Sequence, residues 1–270
     1  MHNKFQRIFP EYKPIIAMVH VQALAGTPSN KYKIDKIVEK ALMEARLYKR
    51  AGVDAIAMEN MHDTPYLRRE VGHEISSAMA VVSYEVKKEI QLPCGLQILA
   101  GANRAALAAA QSAGLDFIRA EGFVFAHVAD EGIMESDAGA LLRYRKTIGA
   151  DDIAIFTDIK KKHSAHSITA DTGIVETAKA AEFFHSDGLI ITGHSTGEKA
   201  STSEIKSTKS KVKLPILIGS GININNVVDY LSISDGLIVG SHFKENNHWT
   251  ETVNYEKVCR FMDKVNTTRS

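Results

Sequence analysis

Short apolar runs alternate along this chain with longer segments in which apolar residues recur at helical spacing. Several of the runs are unbroken and rich in β-branched residues, which is typical of strands buried on both faces of a parallel sheet. We predict eight strands, which lie within residues 15–20, 55–60, 94–99, 117–121, 153–160, 188–193, 214–222 and 235–243.

The segments between these strands predict helices. Over residues 35–51, apolar side chains recur at Ile37, Ala41 and Ala45, and Gly52 follows as a helix stop. The same reasoning predicts helices over residues 71–90, 104–113, 139–147, 174–184, 201–213, 225–231 and 255–265. Residues 122–132 have no periodicity that assigns them to a helix or a strand.

Eight strand–helix units of about 34 residues each predict an α/β protein, a single (β/α)8 TIM barrel of the phosphate-binding type. We expect residues 1–270 to form one domain, with residues 1–13 as an N-terminal extension. A doubly wound open sheet is the alternative, but the chain lacks the early glycine-rich fingerprint that would support it.

The last two strands end in glycine and serine. Gly219, Ser220 and Gly221 follow the seventh strand, and Gly240 and Ser241 follow the eighth. Tight glycine turns let backbone N–H groups approach a ligand closely, and the start of a helix just beyond, here over residues 225–231, favours an anion. Many (β/α)8 barrels build a phosphate site after strands 7 and 8. We therefore predict that these five residues bind phosphate.

Polar side chains collect at the C-terminal ends of the predicted strands, where the catalytic groups of such barrels lie. Because side chains alternate along a strand, Asp158 and Lys160 share one face of the fifth strand, and Lys161 is expected to face water. We predict acid/base roles for His20, Glu59, Asp158, Lys160 and His163. We predict ligand contacts for Asn60, Gln97, Arg119, Glu121, Thr192 and Gly193.

Each of these residues also has a structural interpretation. Glu59 and Asp158 could pair with Lys160, Lys162 or Arg119 in a buried ionic network, and His20 could be a hydrogen-bonded core residue. A divalent metal could be bound by four of the candidates, although their spacing is no metal signature. This set is His20, Glu59, Asp158 and His163. We predict no cofactor.

Composition limits the classes of partner. Lys and Arg total 33 against 32 for Asp and Glu, so no strong net charge attracts the protein to nucleic acid or to an anionic membrane, and the ligand should be small. Cys94 and Cys259 lie far apart and form no metal-type pair, which favours a reducing, cytoplasmic location. No segment has the pattern of a signal peptide or a transmembrane span. A homo-oligomer is compatible with the sequence.

Several segments resemble the BtpA/SgcQ family, in the same order along the chain. They are residues 13–20, 51–54, 58–60, 158–163, 192–197, 218–222 and 239–241, and the resemblance runs from about residue 13 to 265. It implies a phosphate-binding (β/α)8 barrel. The namesake of the family is implicated in photosystem I biogenesis, whereas other members carry names from nucleoside or sugar metabolism. Residues 122–132 and 165–167 differ from the photosynthetic members.

Two hypotheses of function follow. The first is an enzyme that acts on a small phosphorylated metabolite, a sugar phosphate or a nucleotide-like compound, by acid/base chemistry of the isomerase, epimerase or lyase type. The second is a non-catalytic assembly or stability factor of the BtpA type, in which the polar residues at the barrel mouth are dispensable.

Overall fold

Eight parallel strands close into a barrel in the computed structural model, which describes residues 4–11, 13–161, 163–193 and 199–269. Each strand pairs with its neighbours in sequence, and β8 pairs with β1 to close the barrel, with Ile16 opposite Ile238. The strands are β1 Ile15–His20, β2 Ala55–Glu59, β3 Cys94–Gln97, β4 Phe117–Ala120, β5 Ala154–Ile159, β6 Gly188–Ile191, β7 Ile216–Ile218 and β8 Gly236–Val239. The predicted TIM barrel is confirmed, and the open-sheet alternative is wrong because the sheet has no open edge.

A helix follows each strand, as predicted. These helices are α2 Ile34–Arg50, α3 His73–Ile90, α4 Asn103–Ala113, α5 Ala138–Thr147, α6 Ile174–Phe183, α7 Thr202–Lys209, α8 Val227–Ile233 and α9 Tyr255–Arg269. The apolar stripe of α2 is buried against the barrel at Ile37, Ala41, Ala45 and Tyr48. Helix α1, Lys4–Ile8, was not predicted and lies within the segment we interpreted as an extension.

The apolar core has two layers. The larger layer lies between the outward-facing strand residues and the helices. The smaller layer fills the barrel interior, where Phe117 and Phe156 pack with ring centroids 5.3 Å apart. Phe5 of α1 and the neighbouring Phe9 complete this interior cluster, which closes the barrel at the N-terminal ends of the strands.

Residues 122–132, which had no predicted structure, contribute to a small antiparallel sheet. Strands His127–Ala129 and Gly132–Met134 form a hairpin after β4, and Ser164–Ala165 after β5 pairs with its first strand. Two of the loops at the C-terminal end of the barrel are therefore joined by backbone hydrogen bonds.

Every helix in the described part of the chain is too short or too polar to cross a lipid bilayer.

Candidate active site

A cavity of about 370 Å³ opens at the C-terminal end of the barrel. Glu59, His20 and Arg119 line it from the strands β2, β1 and β4. The predicted phosphate-binding residues line the same cavity, namely Gly219, Ser220, Gly221, Gly240 and Ser241. The structure thus brings together side chains from the first half of the chain and the two glycine turns from its last third.

The two glycine turns have the geometry that close approach to a ligand requires. Gly221 adopts a φ of 68°, a left-handed conformation that favours glycine. The backbone N–H groups of Gly221 and Ile222 have no hydrogen-bond partner among the described residues. A 3₁₀ helix, Ser241–Phe243, begins directly after Gly240, whereas α8 begins only at Val227. The expectation of a helix starting at residue 225 was therefore two residues early.

Arg119 and Asp158 form a buried bidentate ion pair inside the barrel mouth. The guanidinium atoms Nε and Nη2 donate to the two carboxylate oxygens at 2.7 and 2.8 Å. Burial disfavours the charged form of Arg119, but attraction to Asp158, with smaller contributions from Glu59 and Glu121, outweighs it and raises the pKa of Arg119. The pair makes Arg119 a permanently charged and rigidly held cation on the cavity wall.

His20 connects the acid/base residues to the last glycine turn. Its Nδ1 lies 3.1 Å from the carbonyl oxygen of Trp249, which can only accept, so Nδ1 carries the proton and donates. Its Nε2 then faces Glu59 Oε2 at 3.9 Å. A Cβ at Gly240 would lie 3.4 Å from the edge of the imidazole, so the lack of a side chain there lets His20 and the glycine turn approach each other.

Lys161, rather than Lys160, reaches the interior of the mouth. Its amine is 2.9 Å from Glu121 Oε2, and its side chain is 10% exposed. Burial opposes the charge on Lys161, but attraction to Glu121 outweighs it and raises the pKa of the amine. Lys160 donates to the backbone carbonyl of Thr169 at 3.1 Å. The expectation that Lys161 faces water was wrong, because Lys160 has a φ of 49° and ends the strand alternation.

A second cavity of about 80 Å³ shares Glu59, Met61 and Arg119 with the first. Asp158, Glu121, Lys161 and His163 also line it, so His163 lies near the carboxylates as predicted. Gln97 donates from Nε2 to Glu121 Oε1 at 3.0 Å and so orients that carboxylate.

Asn60, Thr192 and Gly193 contribute little to either cavity wall. Asn60 donates to Asp63 Oδ2 at 2.9 Å and accepts from the backbone N–H of Leu99 at 2.7 Å, so its amide holds two loops together. Thr192 and Gly193 are buried directly after β6. Residues 194–198, which follow in the chain, lie outside the described residues, as does Lys162.

The proposed metal ligands His20, Glu59, Asp158 and His163 do not form a metal site. Both oxygens of Asp158 are occupied by Arg119. Among the described residues, no three or more His, Cys, Asp or Glu side chains are arranged to bind a metal ion.

Sequence reasoning missed Trp249 and three asparagines of the cavity wall, Asn223, Asn225 and Asn247. They lie in loops beyond the last two strands, which have no periodic pattern. The available signal was the single tryptophan of the chain, placed in a polar segment between His248 and Thr250.

A family model described as the BtpA family matches residues 11–267. A Caenorhabditis elegans protein whose name reads uncharacterized and mitochondrial is 48% identical over 258 residues, which cover 94% of this chain and 93% of that protein. The photosystem I biogenesis protein BtpA of Synechocystis is 28% identical over 261 residues, which cover 94% of this chain and 88% of that protein.

Among solved structures, a thiamine phosphate pyrophosphorylase from Pyrococcus furiosus has a TM-score of 0.58 at 12% identity, covering 95% of this chain and 97% of that one. A likeness at this level of identity supports the barrel fold alone.

Proposed function

The chain belongs to the BtpA family, and from that premise we propose that it is an enzyme acting on a small phosphorylated metabolite by acid/base chemistry. The observation that carries the proposal is that one cavity is lined both by the glycine turns after β7 and β8 and by Glu59, His20 and Arg119. A barrel that served only as a scaffold would have no need of buried, paired charges beside such turns.

The glycine turns bind the phosphate group and thereby place the rest of the substrate over the barrel mouth. Backbone N–H groups at Gly221 and Ile222 supply donors, and the 3₁₀ helix after Gly240 adds its N-terminal end. Fixing one end of the substrate in this way lowers the entropic cost of the reaction at the other end.

Glu59 acts as the general base, because its carboxylate lines the cavity beside the glycine turns. His20 Nε2 lies 3.9 Å from that carboxylate and can exchange a proton with it or with the substrate. Arg119, held by Asp158, stabilises the oxyanion that develops when a proton is removed next to a carbonyl group. Isomerase, epimerase and lyase reactions that pass through an enolate begin with this step.

Lys160 is not part of this mechanism, because its amine is bonded to the carbonyl of Thr169. Lys161 and His163 line the smaller cavity, which shares Glu59 and Arg119 with the main one, and are placed to orient the reacting centre of the substrate from that side. Gln97 and Glu121 position Lys161.

The binding step is tested by thermal unfolding in the presence of inorganic phosphate and a panel of sugar phosphates. We expect ligand-dependent stabilisation in the wild type and in Ser207→Glu, a control on the exposed side of α7, and loss of it in Ser241→Glu. An equal shift in both variants, or none with any phosphorylated compound, would contradict the proposal.

The catalytic step is tested by incubating the same panel in D₂O and following loss of substrate C–H signals by NMR. We expect exchange with at least one compound in the wild type and a loss of about 10²-fold or more in Glu59→Gln. Glu135→Gln, on the exposed part of the hairpin loop, is the matched control. Exchange at the wild-type rate in Glu59→Gln would remove Glu59 from the mechanism.

A second candidate function is that of a biogenesis factor, which the name of the Synechocystis relative favours. It predicts that Glu59→Gln and Ser241→Glu leave the cellular role intact. The cytoplasmic location, the absence of nucleic-acid binding and a homo-oligomeric state remain predictions.

A further inference from the structure

The connection between β8 and α9 carries Trp249 into the main cavity on a closed loop, residues 244–253, which we call the Trp249 loop. Its ends are paired by an antiparallel bridge between Lys244 and Val253. Inside that bridge the N–H of Glu245 donates to the carbonyl of Thr252 at 2.9 Å. The loop is therefore closed by its own backbone hydrogen bonds.

The base of the Trp249 loop is anchored to two helices. Lys244 is 1% exposed, and its amine is 2.6 Å from Glu44 Oε1 on α2. Lys257 of α9 donates to the carbonyl of Lys244 at 3.0 Å and to Asn247 Oδ1 at 3.2 Å. A buried lysine is costly unless it is paired, so this anchor stabilises one position of the loop at the expense of others.

Three imidazole rings surround the indole of Trp249. The ring centroids of His62, His248 and His20 lie 4.9, 6.0 and 6.2 Å from that of Trp249. Burial lowers the pKa of His62 to about 4, with smaller contributions from Lys244 and Lys40, so His62 adds no charge at neutral pH. The indole N–H has no hydrogen-bond partner in the described segments and is available to a ligand.

The described loop residues that line the cavity together with Trp249 are uncharged and combine apolar with amide groups. Met61 and Ile224 supply apolar surface, and Asn223, Asn225 and Asn247 supply amides. His242 Nε2 accepts from the N–H of Ile224 at 3.3 Å and is therefore unprotonated. The charged lining residues, Glu59 and Arg119, come from the barrel strands.

From these observations we infer that Trp249 and these uncharged loop residues, together called the Trp249 wall, bind a planar, uncharged ring carried by the phosphorylated substrate. The inference deepens the proposed function and rests on it. An indole face attracts planar rings, and amide groups can hydrogen-bond to the nitrogen and carbonyl groups at the ring edge. Among the described loop residues that line the cavity, none carries a cation that a second phosphate or a carboxylate could pair with.

His20 sets the spacing between the two ends of such a substrate. Its imidazole borders the Gly240 turn on one side and donates to the backbone of Trp249 on the other. The substrate class is therefore a phosphate ester in which a short spacer, such as a pentose, joins the phosphate to the ring. The spacer lies beside His20 and Glu59.

The single tryptophan of the chain makes the inference directly measurable by fluorescence. We would titrate the protein with adenosine and uridine 5′-monophosphates, ribose 5-phosphate and inorganic phosphate, and confirm affinities by calorimetry. We expect each nucleotide to bind at least about fivefold more tightly than ribose 5-phosphate and to change the tryptophan emission, because base–aromatic stacking has this magnitude.

Two variants separate stacking from support of the loop. Trp249→Phe should keep most of the preference for the nucleotides, and Trp249→Leu should reduce it to near unity without changing the affinity for inorganic phosphate. A Trp249→Leu variant that loses phosphate affinity to the same extent would show that the indole supports the loop, and would overturn the inference.

The two proposals fail in different ways. Equal affinity of the wild type for the nucleotides and for ribose 5-phosphate would overturn the ring site and leave the phosphate site intact. Absence of binding by all of these compounds, inorganic phosphate included, would overturn both.

Discussion

The two ends of the barrel differ in chemistry although the same strands build them. On β4, Phe117 faces the interior cluster, and Arg119, two residues later, faces the mouth; on β5, Phe156 and Asp158 follow the same order. Two residues along a strand, roughly 7 Å, separate the aromatic cluster that closes the N-terminal end of the barrel from the buried ion pair. We call this cluster of Phe5, Phe9, Phe117 and Phe156 the aromatic plug. The comparison shows that stability and chemistry are separated along the barrel axis.

The plug and the ion pair contribute differently to folding. Aromatic rings buried at the N-terminal end gain free energy from the removal of apolar surface from water. Arg119 and Asp158 lose hydration when they are buried, and the free-energy cost of that loss is offset only by their attraction to each other. The mouth is therefore the end at which side chains are expected to be retained for ligand binding rather than for stability.

The largest expected effect is at the plug. Phe156→Ala should lower the free energy of unfolding by about 4 kcal/mol, because the fully buried ring leaves a cavity between Phe5 and Phe117. Chemical denaturation measures the loss. Phe183→Ala, at a side chain that is 79% exposed, is the control and should change stability by less than about 0.5 kcal/mol. Similar losses of stability in both variants would contradict the claim that the aromatic cluster stabilises the fold.

The second effect is at the ion pair. Arg119→Met should cost about 3 kcal/mol, because Asp158 is left buried without its partner. The double variant Arg119→Met with Asp158→Leu should recover most of that stability and keep the phosphate-dependent stabilisation, because the glycine turns rather than Arg119 bind the phosphate. Additive losses in denaturation would show that the two residues do not act as a pair, and loss of phosphate binding in the double variant would show that Arg119 takes part in binding the phosphate.

A smaller effect should distinguish the two adjacent lysines. Lys161→Met should cost about 2 kcal/mol by leaving Glu121 unpaired, whereas Lys160→Met loses one hydrogen bond, worth about 1 kcal/mol. The pKa of Lys161 is raised above its ordinary value of 10.5, because attraction to Glu121 outweighs the burial that lowers it. Its contribution should therefore persist at neutral pH and disappear as the pH rises above about 10.5. Denaturation at pH 7 and pH 11 compares the variants, and equal losses at pH 7 would contradict this assignment.

The smallest effect concerns pH. Burial, followed by the charge of Lys161, lowers the pKa of His127 in the mouth hairpin to about 4 from 6.5. The unfolded chain binds a proton at higher pH than the folded one, so stability should fall as the pH drops from 6.5 to 4. His127→Gln should reduce this fall by about 1 kcal/mol in thermal unfolding. An unchanged pH profile would show that His127 does not contribute.

The strands and their helices could be predicted because each is specified by local side-chain pattern. The alternation that put Phe117 and Arg119 on one face held because β4 is regularly extended over both. It failed at Lys160, where the left-handed backbone reversed the phase and turned Lys161 inward instead. Nothing in a sequence of three consecutive lysines indicates which of them adopts the left-handed backbone conformation.

The convergence of Glu59 with the glycine turns was predictable from fold class, since all strands of a parallel barrel end at the same mouth. The closing of the N-terminal end of the barrel by α1 was not predictable, because a helix of five residues has too few positions to show a pattern. The Trp249 loop was not predictable either, since its position depends on Glu44 of α2, 200 residues away from Lys244 in the chain.

The sequence by itself determined the barrel, the order of its strands and the end at which polar groups collect, because strand period and glycine turns are local properties. Only the tertiary structure decided which polar groups meet: that Arg119 binds both oxygens of Asp158, that Lys161 enters the mouth and that Trp249 lines the same cavity as the glycine turns. These pairings depend on loops whose positions are set by contacts between distant segments, which no local pattern records.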